Sequence, residues 1–270
     1  MSALDLLDDL GFEACALVLG PEGVRARRGD TEQVRLWRSV TKTITAAACV
    51  IAVQEGLVRL DDPAGPPDST LRHLLSHCSG LWYESNRTLH PPGTRRAYSN
   101  YAIDEAGRHV ARAIGMDFGD WVQQRVLDPL GMTSVEWDGS PSVGAAGSMD
   151  DLALFAAEML RPTLLEEQWH RATTTPQFPD LPGVMPGFGH QRPNPFGLGF
   201  EIRGHKSPHW TGSRNDPATY GHFGMRGSLF WVDPVADMAL VVGTAHDICD
   251  AHRRVLPELS DAVLEEFARP

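Results

Sequence analysis

Apolar positions along this chain follow two periods, and the change from one to the other marks its organisation. Behind Ser2, the residues Leu4, Leu7 and Leu10 recur at three-residue steps, which predicts a short capped helix stopped at Gly11. Ala14 to Leu19 is an unbroken apolar run, Gly20-Pro21-Glu22-Gly23 reads as a turn, and Val24 to Arg27 alternates like a half-exposed strand. That is a hairpin. From Ser39 to Gln54 the period is helical, with Ile44, Ala47, Ala48 and Ile51 on one face, many small residues, and Gly56 as the stop. The middle of the chain keeps this period: Leu71, Leu74 and Leu75 form one stripe, and Phe118, Trp121, Val122 and Val126 another. Ser148 and Asp151 make a capping-box-like start before Leu152, Phe155 and Met159. Residues 176–195 are crowded with Pro and Gly and predict a long surface loop. Strand patterns return at 198–202, 228–232 and 238–242, where Asp233-Pro234 turns the second into the third. An amphipathic helix from about Leu256 to Phe267 closes the chain, with Leu259, Val263 and Phe267 facing the core.

Strands therefore lie at both ends and helices between them, an α+β arrangement with no internal repeat and no low-complexity linker. The terminal strands are expected to share one sheet, so that a single domain, 1–270, has a sheet lobe at about 1–60 and 195–270. A helical lobe takes about 61–194, and the junction of the two is a favoured place for a site.

Composition narrows the function. The chain has 270 residues, 42% hydrophobic and 22% charged, which is ordinary for a globular protein and excludes disordered and fibrous classes. Its net charge of −11, from 35 acidic and 24 basic residues, argues against nucleic acid or an anionic membrane as partner. No apolar run approaches the roughly 18 residues of a membrane span. The start, Met1-Ser2-Ala3-Leu4-Asp5, lacks the basic and apolar regions of a signal peptide, so a cytoplasmic location is expected. Cys15, Cys49, Cys78 and Cys249 lie far apart without a CxxC pair and read as reduced thiols. His190, His205, His209 and His222 cluster in one stretch, but their spacing fits no ligand pattern, and neither metal nor cofactor is expected.

Three segments can carry chemistry. In Ser39-Val40-Thr41-Lys42 a hydroxyl and an amine stand at i and i+3 of a helix, and such neighbours have Cβ atoms about 5–6 Å apart. Serine is a poor nucleophile until a base takes its proton, and a lysine of depressed pKa can do so. Ser39 opens the helix, where its hydroxyl and N–H meet the positive end of the dipole, and the apolar helix behind it would bury Lys42. Tyr98-Ser99-Asn100 reads as a loop in which a phenol able to relay a proton and an amide able to hold a carbonyl point the same way. His222-Phe223-Gly224 reads as extended, with His222 and Gly224 on one side and the glycine open to close approach by a ligand. Each segment alone is commonplace.

Together, and in this order, they resemble the serine β-lactamase and penicillin-binding-protein family, in particular its class C-like and family VIII-type esterase branch. The resemblance also takes in Glu55 to Pro63, His73-Leu74-Leu75-Ser76-His77-Cys78-Ser79-Gly80-Leu81, Asp128-Pro129-Leu130-Gly131-Met132, Phe196-Gly197-Leu198-Gly199 and Gly227 to Pro234, spanning about residues 12 to 245. It implies a β-lactamase/transpeptidase-like fold, an antiparallel sheet flanked by helices plus a mainly helical lobe. It further implies a nucleophilic Ser39, a proton-shuttling Lys42, Tyr98 as base or relay, Asn100 positioning the substrate, and an oxyanion hole from the N–H groups of Ser39 and Met225. The resemblance leaves open which group takes the Ser39 proton. Two features depart from β-lactamases proper: His222 stands where lysine is usual, and no dedicated glutamate holds a deacylating water. A histidine of ordinary pKa, about 6.5, supplies a hydrogen-bond donor at neutral pH but little charge. Arg226, four residues on, falls on the His222 side if the strand continues, and could reach a substrate carboxylate.

The expected activity is thus an acyl-enzyme hydrolase of esters, amides or D-amino-acid peptides, weak on β-lactams, with a small-molecule acyl substrate. The alternatives are an acyltransferase using the same acyl-enzyme, or a silent binding module of the same fold. Oligomeric state is not legible.

Overall fold

The unbroken apolar runs of the sequence become strands buried on both faces. In the computed structural model, which describes residues 2–268, six antiparallel strands form the main sheet. They are β1 (Ala14–Gly20), β2 (Gly23–Arg28), β3 (Glu201–Ile202), β4 (Tyr220–Phe223), β5 (Leu229–Asp233) and β6 (Met238–Thr244), in the spatial order β2-β1-β6-β5-β4-β3. Val18 lies opposite Leu240, and Phe230 lies between Val241 and His222. Alternation sorts the side chains into two layers. Leu17, Phe230, Val232 and Val241 meet Ile44 and Val50 of helix α1 (Thr41–Gln54) and, farther along the chain, Phe155. Val18, Trp231 and Leu240 meet Leu4 and Leu7 of the short helix Ala3–Leu10, and Leu259 and Val263 near the C-terminus. A strand covered on both sides has no polar face to show, which is why Ala14–Leu19 and 238–242 read as continuous apolar runs.

Helix α1 is buried all round, from Thr41 to Val53. Its Ala46, Ala47, Ala48, Cys49 and Ala52 keep it slim enough for the sheet on one side and helices α2 (Asn100–Ile114) and α3 (Met149–Leu160) nearby. Its hydroxyls are answered internally: Thr43 donates to the Val40 carbonyl at 2.8 Å and Thr45 to the Pro141 carbonyl at 2.6 Å. None of the helices among the described residues is long and apolar enough to cross a membrane.

The chain departs from the sequence expectations at defined places. Residues 176–195 contain a hairpin, Gly183–Met185 with Gly189–Gln191, since Gly187 and Gly189 at positive φ form its turn. The expected strand 198–202 pairs only over Glu201–Ile202. Gly199 sits at φ +77 and gives its N–H to the Leu75 carbonyl at 2.8 Å, so the preceding residues cross α1 instead of joining a neighbour. Tyr98-Ser99-Asn100 is a loop only as far as Ser99, whose Oγ accepts the Ala102 N–H at 3.0 Å and caps α2, making Asn100 its first residue. Ser148 caps α3 through the Asp151 N–H at 3.0 Å, but the Asp151 carboxylate turns to the Ser134 N–H at 2.7 Å and leaves the capping box half made. The last helix, α4 (Asp250–Phe267), starts earlier than about Leu256 and runs through Pro257.

A Cβ at position 199 would lie 2.3 Å from the Ala46 Cβ and 2.9 Å from the Lys42 carbonyl oxygen, both in the wall of α1. Gly199→Ala is therefore expected to cost about 2–4 kcal/mol, combining left-handed backbone strain with overpacking. Urea unfolding of the variant checks this; a loss under about 0.5 kcal/mol, the size of a neutral surface change, would show that the crossing does not need glycine.

Candidate active site

The segment before α1 tightens. Arg38–Val40 form a single 3₁₀ turn, entered through Arg38 at φ +50, a left-handed value unusual for a side chain this size. Ser39 lies inside that turn, two residues before the α-helix that the sequence pattern starts at Ser39 itself. The turn is held from above by Gly224: a Cβ there would lie 2.1 Å from the Trp37 carbonyl oxygen and 3.2 Å from the Arg38 Cβ. The close approach that Gly224 permits is thus by the chain's own backbone, rather than by a ligand.

Lys42 is fully buried, and its Nζ donates to Ser39 Oγ at 3.2 Å and to the Ser142 carbonyl at 2.9 Å. Burial lowers its pKa from 10.5 to about 7, with Asp104 pulling weakly the other way. Asp104 holds the same residue from its other side, its carboxylate accepting the Ser142 N–H at 2.9 Å. The ammonium also lies 5.1 Å from the centroid of the Tyr98 ring.

Tyr98 is held between two imidazoles. His77 packs against it at a tilt of 35° with ring centroids 4.5 Å apart, and His222 Nε2 stands 3.4 Å from the phenol oxygen. Burial pushes the phenol above its ordinary range, and the Ser39 hydroxyl is the hydrogen-bonding neighbour that opposes this shift. His222 is lowered to about 4, by burial first and then by Lys42, so it is neutral at physiological pH. Its Nδ1 lies 2.8 Å from the Phe223 carbonyl, which can only accept. The proton is therefore on Nδ1, and Nε2 faces Tyr98 with a lone pair. Read as a donor from sequence, His222 is an acceptor on the side that matters.

Ser39, Tyr98 and His222 open onto a cavity of about 270 Å³ walled by Tyr83, Phe196 and Met185 among others. Met225 also lines it, and neither its N–H nor that of Ser39 donates to another group among the described residues. One wall carries Glu201, a group that sequence reading missed. Its carboxylate is buried and accepts from Lys206, from His209 Nε2 at 2.9 Å and from Trp210 Nε1. Burial would raise it, but Lys206 and His209 outweigh that and hold it well below the usual carboxylate range. A lone acid inside the apolar stretch Phe196–Ile202, with Lys, His and Trp close behind, was the available signal of a buried charge network.

The other expected residues lie elsewhere. Asn100 is buried beside this centre with its Oδ1 unpartnered, but it is not part of the cavity wall; nor are Gly224 and Arg226. Strand β4 ends at Phe223 and the chain turns, with Gly227 at φ +82 donating to the Gly224 carbonyl at 3.0 Å, so the alternation that would align Arg226 with His222 is lost. The Arg226 guanidinium pairs on the surface with Asp247 at 3.0 Å.

Comparison with known proteins gives a consistent picture. The family model described as Beta-lactamase matches residues 23–255. A crystal structure of a beta-lactamase from Mycobacterium bovis superposes with a TM-score of 0.97 at 49% identity, covering 99% of this chain and 100% of that one. Unliganded simvastatin synthase from Aspergillus terreus gives 0.80 at 17% identity over 98% of this chain and 97% of that one. EstCE1, a hydrolase with promiscuous acyltransferase activity, gives 0.78 at 17% over 97% and 96%. At that identity the likeness is one of fold. The chain spans about a third of the length of the curated relatives it matches by sequence, 37%, 34% and 36%.

Lys42 supplies a test independent of any role. Below pH about 7 both folded and unfolded chains hold its proton, and the full cost of burying the charge is felt. As pH rises from about 7 toward 10.5 the folded state has lost the proton while the unfolded state keeps it, so the cost shrinks and the protein gains stability. Lys42→Met should accordingly stabilise the fold by several kcal/mol at pH 6 and by much less at pH 9.5. Denaturant midpoints at the two pH values decide it, and a gain equal at both would contradict the depressed pKa.

Proposed function

Because this chain belongs to the beta-lactamase family, we propose that Ser39 is the nucleophile of an acyl-enzyme cycle that hydrolyses esters or amides. The observation that carries this reading is the amine of Lys42, 3.2 Å from the Ser39 hydroxyl and poised at about 7, with no carboxylate among the described residues in ion-pair contact. At neutral pH much of it is the free base, so Ser39 Oγ attacks the substrate carbonyl as its proton passes to Lys42 Nζ. The oxyanion meets the N–H groups of Ser39 and Met225, and removing one such donor typically costs about 10²–10³ in rate. Collapse of the tetrahedral adduct expels the alcohol or amine, which takes a proton back from Lys42 through Tyr98. Water then repeats the sequence on the acyl-enzyme. Tyr98 is the relay and Lys42 the base, because burial disfavours the phenolate and leaves the amine available.

The cavity favours uncharged acyl groups. His222 presents a lone pair, Glu201 a carboxylate, Lys206 is spent on Glu201, and Arg226 is held by Asp247. A bicyclic β-lactam carries its carboxylate within a few bonds of the reacting carbonyl, and nothing cationic in this wall receives it.

A second reading, transfer of the acyl group to an amine or alcohol acceptor, is supported by an open groove that joins the cavity at Tyr83 and Tyr98. A silent binding module has little to recommend it, since a buried lysine is a standing cost with no return in ligand affinity.

A fluorophosphonate should add one label, on Ser39, and none to Ser39→Ala. The labelling rate should climb about tenfold per pH unit below pH 7 and level off above, following Lys42 deprotonation. Labelling that persists in Ser39→Ala refutes the nucleophile. Lys42→Ala and Tyr98→Phe should each lower kcat by about 10²–10⁴, with the double variant little worse than the poorer single one. Multiplying effects would show that the two act separately.

For specificity, kcat/KM for 4-nitrophenyl butyrate is expected to exceed that for a chromogenic cephalosporin. His222→Lys should improve the cephalosporin about ten- to hundred-fold, the worth of one charge-assisted hydrogen bond. A wild type that prefers the cephalosporin would overturn the reading of the wall.

A further inference from the structure

Two hollows meet at Tyr98. The one that holds Ser39 is the more enclosed; the other is an open groove of about 330 Å³ that shares Tyr83, Tyr98 and Pro186 with it. The groove runs on past Trp82, Val184 and Arg95. Trp82 and Val184 are half-exposed apolar surface, 51% and 55% accessible. Arg95 is partly buried, yet it makes no hydrogen bond or ion pair with any described residue. Its neighbour Arg96 is the opposite: buried, it donates to the carbonyls of Ser76 at 2.7 Å, Asn194 at 3.0 Å and Phe178 at 2.8 Å. No aspartate or glutamate is among the residues that line this groove, so Arg95 meets no carboxylate partner there.

We infer that this groove is the subsite for the leaving group, or the acceptor that replaces it, and that Arg95 there binds a carboxylate borne by that half of the substrate. The inference rests on the acyl-enzyme reading for which half occupies which hollow. The acyl group stays joined to Ser39 between the two half-reactions and belongs in the enclosed cavity, while the group that leaves and the one that enters must pass through the open side. Trp82 and Tyr83 cover the apolar body of that group, and the Arg95 fork takes its carboxylate bidentately. With a net charge of −11 the protein has no long-range field to draw an anion in, so the recognition acts at contact range.

The test compares 4-carboxyphenyl butyrate with its neutral isostere 4-carbamoylphenyl butyrate. The carbamoyl ester has the better leaving group, so intrinsic reactivity runs against the expected result. Wild type should favour the carboxylate about tenfold in kcat/KM, and in Arg95→Gln that ratio should collapse to about one. A carboxylate placed on the acyl side, as in mono-(4-nitrophenyl) succinate, should bring no advantage over 4-nitrophenyl butyrate. Binding of 4-hydroxybenzoate to the Ser39→Ala variant, measured by calorimetry, should weaken about tenfold when Arg95→Gln is added. The inference is overturned by equal rates in the wild type, by a preference that survives Arg95→Gln, by an advantage on the acyl side instead, or by 4-hydroxybenzoate binding that is absent or indifferent to Arg95. If Ser39 is not labelled and neither ester turns over, the acyl-enzyme reading fails, and the calorimetry still decides Arg95.

Discussion

A lysine amine sealed inside an apolar helix is the constraint on which the rest of this molecule turns. Desolvation of Lys42 is unfavourable to the charged form, and no carboxylate among the described residues touches it to restore the balance. The fold tolerates this because α1 is enclosed on every side by the sheet and by neighbouring helices whose packing depends on its small residues. The same enclosure that costs stability lowers the pKa of the amine beside Ser39 to about 7. On the proposed mechanism, stability and reactivity are set against each other at one residue, as expected where a desolvated group serves chemistry.

Two glycines make that arrangement geometrically possible. Gly199 lets the chain cross over α1 at the level of Lys42 and Ala46, and Gly224 lets the end of β4 rest on the Trp37 carbonyl, bracing the turn that carries Ser39. Either contact needs a backbone with no side chain in between. Within the third motif Gly224 thus serves as a brace, while His222 and Phe223, with Met225 just beyond, line the cavity.

The cavity's electrostatics follow from hydrogen bonds one layer out. The Phe223 carbonyl decides which nitrogen of His222 carries its proton, and Lys206 and His209 decide that Glu201 stays ionised. Both choices turn acceptors toward the cavity, while the groove beyond Tyr98 is lined by Arg95.

Much of this was legible from the chain alone. Unbroken apolar runs located β1, β5 and β6, three- and four-residue periods located α1 and α3, and the resemblance identified the family and the juxtaposition of Ser39 with Lys42. Such features are local or rest on spacing along one helix, so neighbours in sequence are enough to specify them. The hairpin within 176–195, the tautomer of His222, the Glu201 network, the surface pairing of Arg226 with Asp247 and the solitude of Arg95 were not. Each depends on which groups outside any helix or strand period, or which single carbonyl, come to lie within about 3 Å, the range over which a hydrogen bond or ion pair acts. Periodicity carries no information at that scale. The sequence by itself determined the layers and the pairing of Ser39 with Lys42; only the tertiary structure decided what charge and which lone pairs surround them, because those are set by contacts outside any helix or strand period.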